Sequence, residues 1–260
     1  MKLKEVLLGV FDGLPGLEEA RAFEYYEDIP EQLLGYRFIF RQFEELRTTR
    51  ALILDYGCGP GKVALRYVTQ AEHSVLAVDA SESMLEIARQ RRSHPFINYR
   101  LVKNDRLDFV KDDSVDGAMT CYVFINIASE EQIRRIIKEI YRVLKPGAKY
   151  IILDTNPDTT GISFSTFRSG ESGRQYAYGE QREVRLRLPD HSELILYDYH
   201  WPKKMYIGAL REAGFCIIDV LEPTLKDIPK QELESFTAEH SCSWMGETEY
   251  PLFVIFVARK

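Results

Sequence analysis

The octapeptide Leu54-Asp55-Tyr56-Gly57-Cys58-Gly59-Pro60-Gly61 limits what this chain can fold into more than any other stretch. It follows an apolar run of β type, Ala51 to Leu54, and leads into residues with helical apolar spacing, Val63, Ala64, Tyr67 and Val68. Glycine permits backbone conformations and close approaches that a Cβ would forbid, and the first N–H groups of the following helix have no intrahelical partner. A strand that breaks into glycines and then enters a helix is therefore suited to run beneath a nucleotide-like ligand. The spacing is not that of a dinucleotide loop, which needs its third glycine one place later, where Lys62 stands.

Four further segments follow in order. Ser74 to Asp79 is a short apolar strand ending in an acid, whose carboxylate can accept hydrogen bonds from both hydroxyls of a ribose. Ala80 comes next, then Ser81 as an N-cap and Met84 one turn into a helix, where a flexible thioether can cover a ring. Val102 to Leu107 reads as a strand carrying Asp105 and Arg106. Ser114 to Phe124 enters another, with Cys121 and Tyr122 at its carboxyl end, where open α/β sheets hold ligands. Val143 to Ile152 holds a Lys-Pro-Gly turn into a fifth strand.

Taken together over residues 50 to 155, these segments resemble motif I and its successors in the class I S-adenosylmethionine-dependent methyltransferases. The resemblance implies a Rossmann-like α/β fold: a seven-stranded, mostly parallel sheet with an antiparallel last strand and helices on both faces. It also implies S-adenosyl-L-methionine as cofactor and no metal. Carried over by position, Asp55, Gly57, Cys58, Gly59 and Gly61 would form the cofactor loop. Asp79 and Ala80 would meet the ribose, Met84, Asp105 and Arg106 the adenine, and Cys121 and Tyr122 the strand end beside them. Tyr26 matches loosely a tyrosine that relatives fold against the methionine portion, with Glu27 in place of the usual Asp.

The remaining pattern divides the chain into an N-terminal helical lid (1–48), the cofactor-binding core (49–155), an insertion with a β-hairpin (156–199) and the rest of the core sheet (200–260). This last part carries a second insertion at about 226–250. Residues 18–47 read as helical and aromatic, from Phe23 through Tyr26 and Tyr36 to Phe43. The hairpin pairs Glu183–Leu188 with Leu194–Tyr199, Pro202–Ala213 is a helix closed by Gly214, and Phe253–Ala258 is the last strand. Ser129 to Gln132 forms a capping box before the stripe Ile133, Ile136, Ile137 and Ile140.

Methyl transfer demands alignment of nucleophile and methyl carbon, and a base only where the nucleophile must lose a proton. The candidates for that role are Asn126, just past the fourth core strand, His200 beside Trp201, and His240 near Trp244. Net charge of −6 argues against a broad cationic face for nucleic acid, and no run of about 18 apolar residues exists to span a membrane. Cys58, Cys121, Cys216 and Cys242 lack metal spacing and read as free thiols of a reducing compartment, which makes the cytoplasm the expected location. Aromatic residues in the variable segments suit a flat or cationic small-molecule acceptor, of the kind found in secondary metabolism. Nitrogen, oxygen and carbon remain open as the methylated atom, and a homodimer as the assembly. The competing classes are an NAD(P)-dependent oxidoreductase, a protein methyltransferase and a non-catalytic cofactor-binding relative.

Overall fold

The computed structural model describes residues 6–7, 24–46 and 50–260. Phe23 and about half of the expected N-terminal lid therefore lie outside the described residues. The principal sheet has seven strands in the order β10-β11-β6-β5-β2-β3-β4. In chain order they are β2 (Leu52–Tyr56), β3 (Ser74–Asp79), β4 (Ile97–Leu101), β5 (Val115–Cys121), β6 (Leu144–Thr155), β10 (Cys216–Leu221) and β11 (Phe253–Arg259). Only β11 runs against its neighbours, pairing antiparallel with both β6 and β10.

Apolar residues fill both sides of the central strands, as a sheet covered on two faces requires. Ile53, Val75, Ala77, Ile151, Leu153 and Ile255 point into one core, and Leu54, Leu76, Val78, Tyr150, Ile152 and Phe256 into the other. Helix α5 (Glu130–Val143) lays Ile133, Ile136, Ile137 and Ile140 into the second core. Ser129 caps it by accepting from the Gln132 N–H at 3.2 Å. Helices α3 (Lys62–Gln70), α4 (Glu82–Arg91) and α6 (Lys203–Ala213) complete the layers, and Gly214 closes α6 at φ +105°.

The first face also carries two additions. One is a helical run, α1 (Ile29–Glu31) and α2 (Arg37–Arg41), joined by a π-helical turn at Gln32–Tyr36. The other is a second sheet, in the order β1-β9-β8-β7. It comprises β1 (Val6–Leu7), β7 (Phe167–Ser169), β8 (Gln181–Arg187) and β9 (Glu193–Tyr199). The predicted hairpin is its β8–β9 pair, and Val184, Leu186 and Leu194 bury into the same core as Tyr26, Leu33 and Phe43. A bidentate cross-strand pair, Arg182 Nε and Nη2 to the Asp198 carboxylate at 2.6 and 3.0 Å, is buried there. Arg182 also donates to Thr155 at the end of β6, which ties the second sheet to the edge of the first.

Two predicted boundaries move. The strand expected over Val102–Leu107 ends earlier, at Leu101, and Asp105 lies in a following turn where Asn104 and Asp105 take φ of +54° and +60°. Short polar side chains tolerate that left-handed geometry, so the turn chemistry overrides the short apolar pattern. The Lys145-Pro146-Gly147 turn falls inside β6, where the register with β5 jumps between Val115 and Gly117. In the second insertion, α7 (Lys230–His240) rests on the surface with no buried residue.

Candidate active site

The carboxyl ends of β2, β3 and β5 meet at one edge of the principal sheet, where the strand order turns away from β2 on either side. Here the glycine loop folds over the end of β3: the N–H groups of Gly57 and Cys58 donate to the Val78 carbonyl at 2.7 and 3.0 Å. Gly57, Gly59 and Gly61 all have positive φ. Their surroundings differ. A Cβ on Gly57 would lie 2.2 Å from Val123 Cγ2, whereas one on Gly59 would have nothing within 4 Å. Gly57 thus serves close packing against the end of β5, and Gly59 presents bare backbone to open space.

Asp79 is built into this loop. Its Oδ2 accepts from the Gly59 N–H and its Oδ1 from the Ser81 N–H, both at 2.8 Å. Burial raises its pKa and these backbone bonds oppose the rise. Ser81 caps α4 by accepting from the Met84 N–H, which seats Met84 on the first turn, half-buried. Ala80 is exposed beside it. Asp105 accepts from Gln132 Nε2 at 2.9 Å and shares the field of Tyr56 with Asp79, so the two acids border one region. The Arg106 N–H goes to the Lys103 carbonyl and its guanidinium to Asp108, so the side chain points along the surface.

Asp55 is the least ordinary group. Its carboxylate is 1% exposed and neither oxygen has a hydrogen-bond partner. Burial, and secondarily Asp79, push its pKa to about 7. A carboxyl group in this position lacks the donor that a buried carboxylate normally has. Cys58 and Cys121 are buried thiols whose pKa values burial raises, so neither is a poised nucleophile.

Above this edge the helical run and the second sheet form a roof. Tyr122, the residue after β5, takes φ +58° and its hydroxyl is buried without a partner. Gly35, in the π-helical turn, lets that hydroxyl approach, since a Cβ there would sit 3.3 Å from it. Tyr26 donates to Glu31 Oε1 at 2.6 Å and lies 2.9 Å from Thr166 Oγ1, while Lys62 Nζ holds the Tyr26 carbonyl at 2.7 Å. Phe167 stacks on Phe253, and Tyr122 meets Phe253 edge-on. A cleft of about 560 Å³ opens beside Tyr26, lined by Asp28, Lys62, Arg66 and His240 among others.

The three candidate bases are in three different surroundings. Asn126 donates to the Tyr122 carbonyl at 2.6 Å and so braces the strained residue. His200 stands 3.5 Å from Arg182 Nη1 and beside Tyr176, with a pKa lowered first by burial and then by Arg182. His240 packs on Phe236 and borders the cleft. Glu31 was not among the residues picked out from sequence: a glutamate in an amphipathic run reads as solvated, yet this one is 5% exposed. The available hint was Gly35 inside a helical aromatic pattern, where glycine implies a close approach.

Similarity to known proteins agrees with this geometry. Residues 53–147 match the family model described as a methyltransferase domain. The chain is 40% identical over 186 residues to the N-demethylindolmycin N-methyltransferase of Streptomyces griseus, covering 70% of this chain and 78% of that protein. It is 32% identical over 178 residues to the demethylmenaquinone methyltransferase of Symbiobacterium thermophilum, covering 64% and 69%. Among solved structures, an S-adenosylmethionine-dependent methyltransferase from Aquifex aeolicus superposes with a TM-score of 0.58 at 14% identity, over 95% of this chain and 99% of that one. One from Mesorhizobium loti gives 0.57 at 20% identity, over 85% and 96%. These two share the fold.

Proposed function

The chain belongs to the class I S-adenosylmethionine-dependent methyltransferases, and from that premise we propose that it methylates a small organic acceptor in a site closed over by the helical run and the second sheet. The observation that carries the reading is the roof. Tyr26, Glu31 and Tyr36 are all buried above the carboxyl edge of the sheet, with Tyr122 beneath them. A protein or nucleic-acid acceptor needs an open groove at that place. The acceptors printed in the names of the two relatives, N-demethylindolmycin and demethylmenaquinone, are small organic molecules.

The residues present fit the cofactor. Asp55 offers two unpartnered carboxylate oxygens, for which an ammonium is the complementary group. Gly59 leaves open the space a side chain would fill, and Asp79, held by the loop, retains lone pairs for ribose hydroxyls. Met84 and Asp105 border the same region and would serve the adenine. When bound, S-adenosylmethionine supplies an activated methyl group on a sulfonium sulfur. The protein's part is to position the acceptor and exclude water. We place the enzyme in secondary metabolism and in the cytoplasm, and the N-terminal segment and both insertions as its lid. No helix among the described residues is long and apolar enough to cross a membrane.

Calorimetry with S-adenosylhomocysteine and with NADH tests the cofactor, and transfer of labelled methyl groups to fractionated small metabolites, protein and RNA tests the acceptor. The expected result is binding of S-adenosylhomocysteine and label in the small-metabolite fraction. NADH binding alone, or label confined to macromolecules, would overturn the reading.

A further inference from the structure

Glu31 lies buried in the roof, against Tyr26. Its carboxyl group is fully out of solvent, one oxygen is engaged by the Tyr26 hydroxyl, and the other, Oε2, has no hydrogen-bond partner. Tyr122 supplies a second unpartnered buried polar atom, its hydroxyl, from the end of β5. The two lie close together: the Tyr122 hydroxyl comes within 3.3 Å of where a Cβ on Gly35 would stand, and Gly35 is one turn after Glu31 in the helical run. Tyr122 directly follows β5, which pairs with β2 through Asp55 and Met119, and this connects the cluster to the cofactor loop. Ile29 and Gln32, on either side of Glu31 in sequence, and Tyr26 line the 560 Å³ cleft that opens to solvent.

A structural role for Glu31 would leave Oε2 satisfied, because an unmet buried carboxylate oxygen is destabilising. Burial and then Asp28 raise the carboxyl pKa to about 8, so the ligand-free site carries a proton there near neutrality. A cation placed at Oε2 would remove that cost, and an anion would add to it. Neutral alcohols would satisfy one bond but would not favour the ionised carboxylate.

Accepting the methyltransferase reading above, we propose that Glu31 Oε2 binds the nitrogen of a primary or secondary amine acceptor and takes its proton, with the Tyr122 hydroxyl as second contact. As the acceptor enters as an ammonium, the proton of the ligand-free carboxyl leaves to solvent; the ammonium then gives one N–H proton to Oε2, which frees a lone pair on nitrogen. That pair forms the N–C bond as the C–S bond of the donor breaks and its electrons stay on sulfur. The product nitrogen then carries the positive charge that sulfur lost, and the proton on Glu31 leaves to solvent.

The test uses the full-length chain and a panel of aliphatic and arylalkyl primary and secondary amines, each with the alcohol and carboxylic acid of the same skeleton. Label from S-adenosylmethionine is expected in amines only. Glu31→Gln should lower kcat/KM about 100-fold or more, within the range for a positioned base. It should also confine activity to pH values where the amine is already neutral, with S-adenosylhomocysteine affinity changed less than threefold. Wild type should keep its kcat/KM to lower pH than the variant, down to about 8, where the ligand-free carboxyl takes up its proton. Independently of turnover, the infrared band of a protonated carboxyl that Glu31→Gln removes should also vanish when a labelled amine is added to the cofactor-free wild type. Label on alcohols or acids, no label on any amine, or a Glu31→Gln variant with unchanged rate and pH profile would overturn the inference. Where S-adenosylhomocysteine still binds, those results leave methyl transfer itself standing; loss of that binding in the wild type would instead defeat the underlying reading.

Discussion

Asp55→Asn isolates the cost of an unpartnered carboxylate. The native pKa of about 7 lies above the ordinary value of 3.8 because burial disfavours the charge. Between those values the folded protein keeps a proton that the unfolded chain has released. Stability is therefore fully present below about pH 4 and falls as pH rises toward 7, by about 1.4 kcal/mol per unit. The total is on the order of 4 kcal/mol, and the group is fully buried, so solvent screening does not reduce it. For a chain of this size ~1 kcal/mol moves Tm by about 2–4 °C. The cofactor-free wild type should thus lose roughly 8–16 °C more than Asp55→Asn between pH 4 and 7.5 in scanning calorimetry at fixed ionic strength. Glu31 contributes a slope of the same sign to both proteins and cancels. Cofactor binding near pH 6 should release a proton from Asp55, seen as a dependence of the binding enthalpy on buffer, and the variant should show none. Parallel Tm–pH curves for the two proteins would refute the argument that Asp55 is held without a partner.

Four other substitutions test separate parts of the design. Gly59→Ala should cost only about 1–2 kcal/mol of stability, the left-handed backbone penalty, while weakening S-adenosylhomocysteine tenfold or more in calorimetry. Gly57→Val, by contrast, meets Val123 and should lose a further ~1–3 kcal/mol through overpacking, so its main effect is on the denaturation midpoint. Asp79→Ala removes the acceptor of two loop N–H groups as well as the ribose contact and should weaken the cofactor by about 2–4 kcal/mol, roughly 30- to 1000-fold. Arg182→Met leaves Asp198 buried alone and should destabilise by about 3–5 kcal/mol in urea unfolding. Adding Asp198→Leu should recover most of that loss, and a double variant no better than the single would place the defect elsewhere.

Local chemistry made the core legible from the sequence. The apolar runs of β2, β3, β5, β6 and β11, the glycines after Leu54-Asp55-Tyr56, the Ser81 and Ser129 caps and the Gly214 stop each declare their conformation within a few residues, so these elements and the cofactor loop could be located without coordinates, while the order of the strands could not. The Asp105 strand was misread because Asn104 and Asp105 form a left-handed turn, a preference of two residues that the surrounding apolar pattern masked.

What only the tertiary structure decided is how long-range packing changes the chemistry of ordinary residues. Asp55 looks like any strand-end acid until the fold removes every donor from it. Glu31 looks like a solvated helix residue until the segment carrying Thr166 packs against Tyr26, more than a hundred residues away in sequence. Burial is a property of distant segments meeting, and it is burial that turns a carboxylate from a solubilising group into one that demands a cation.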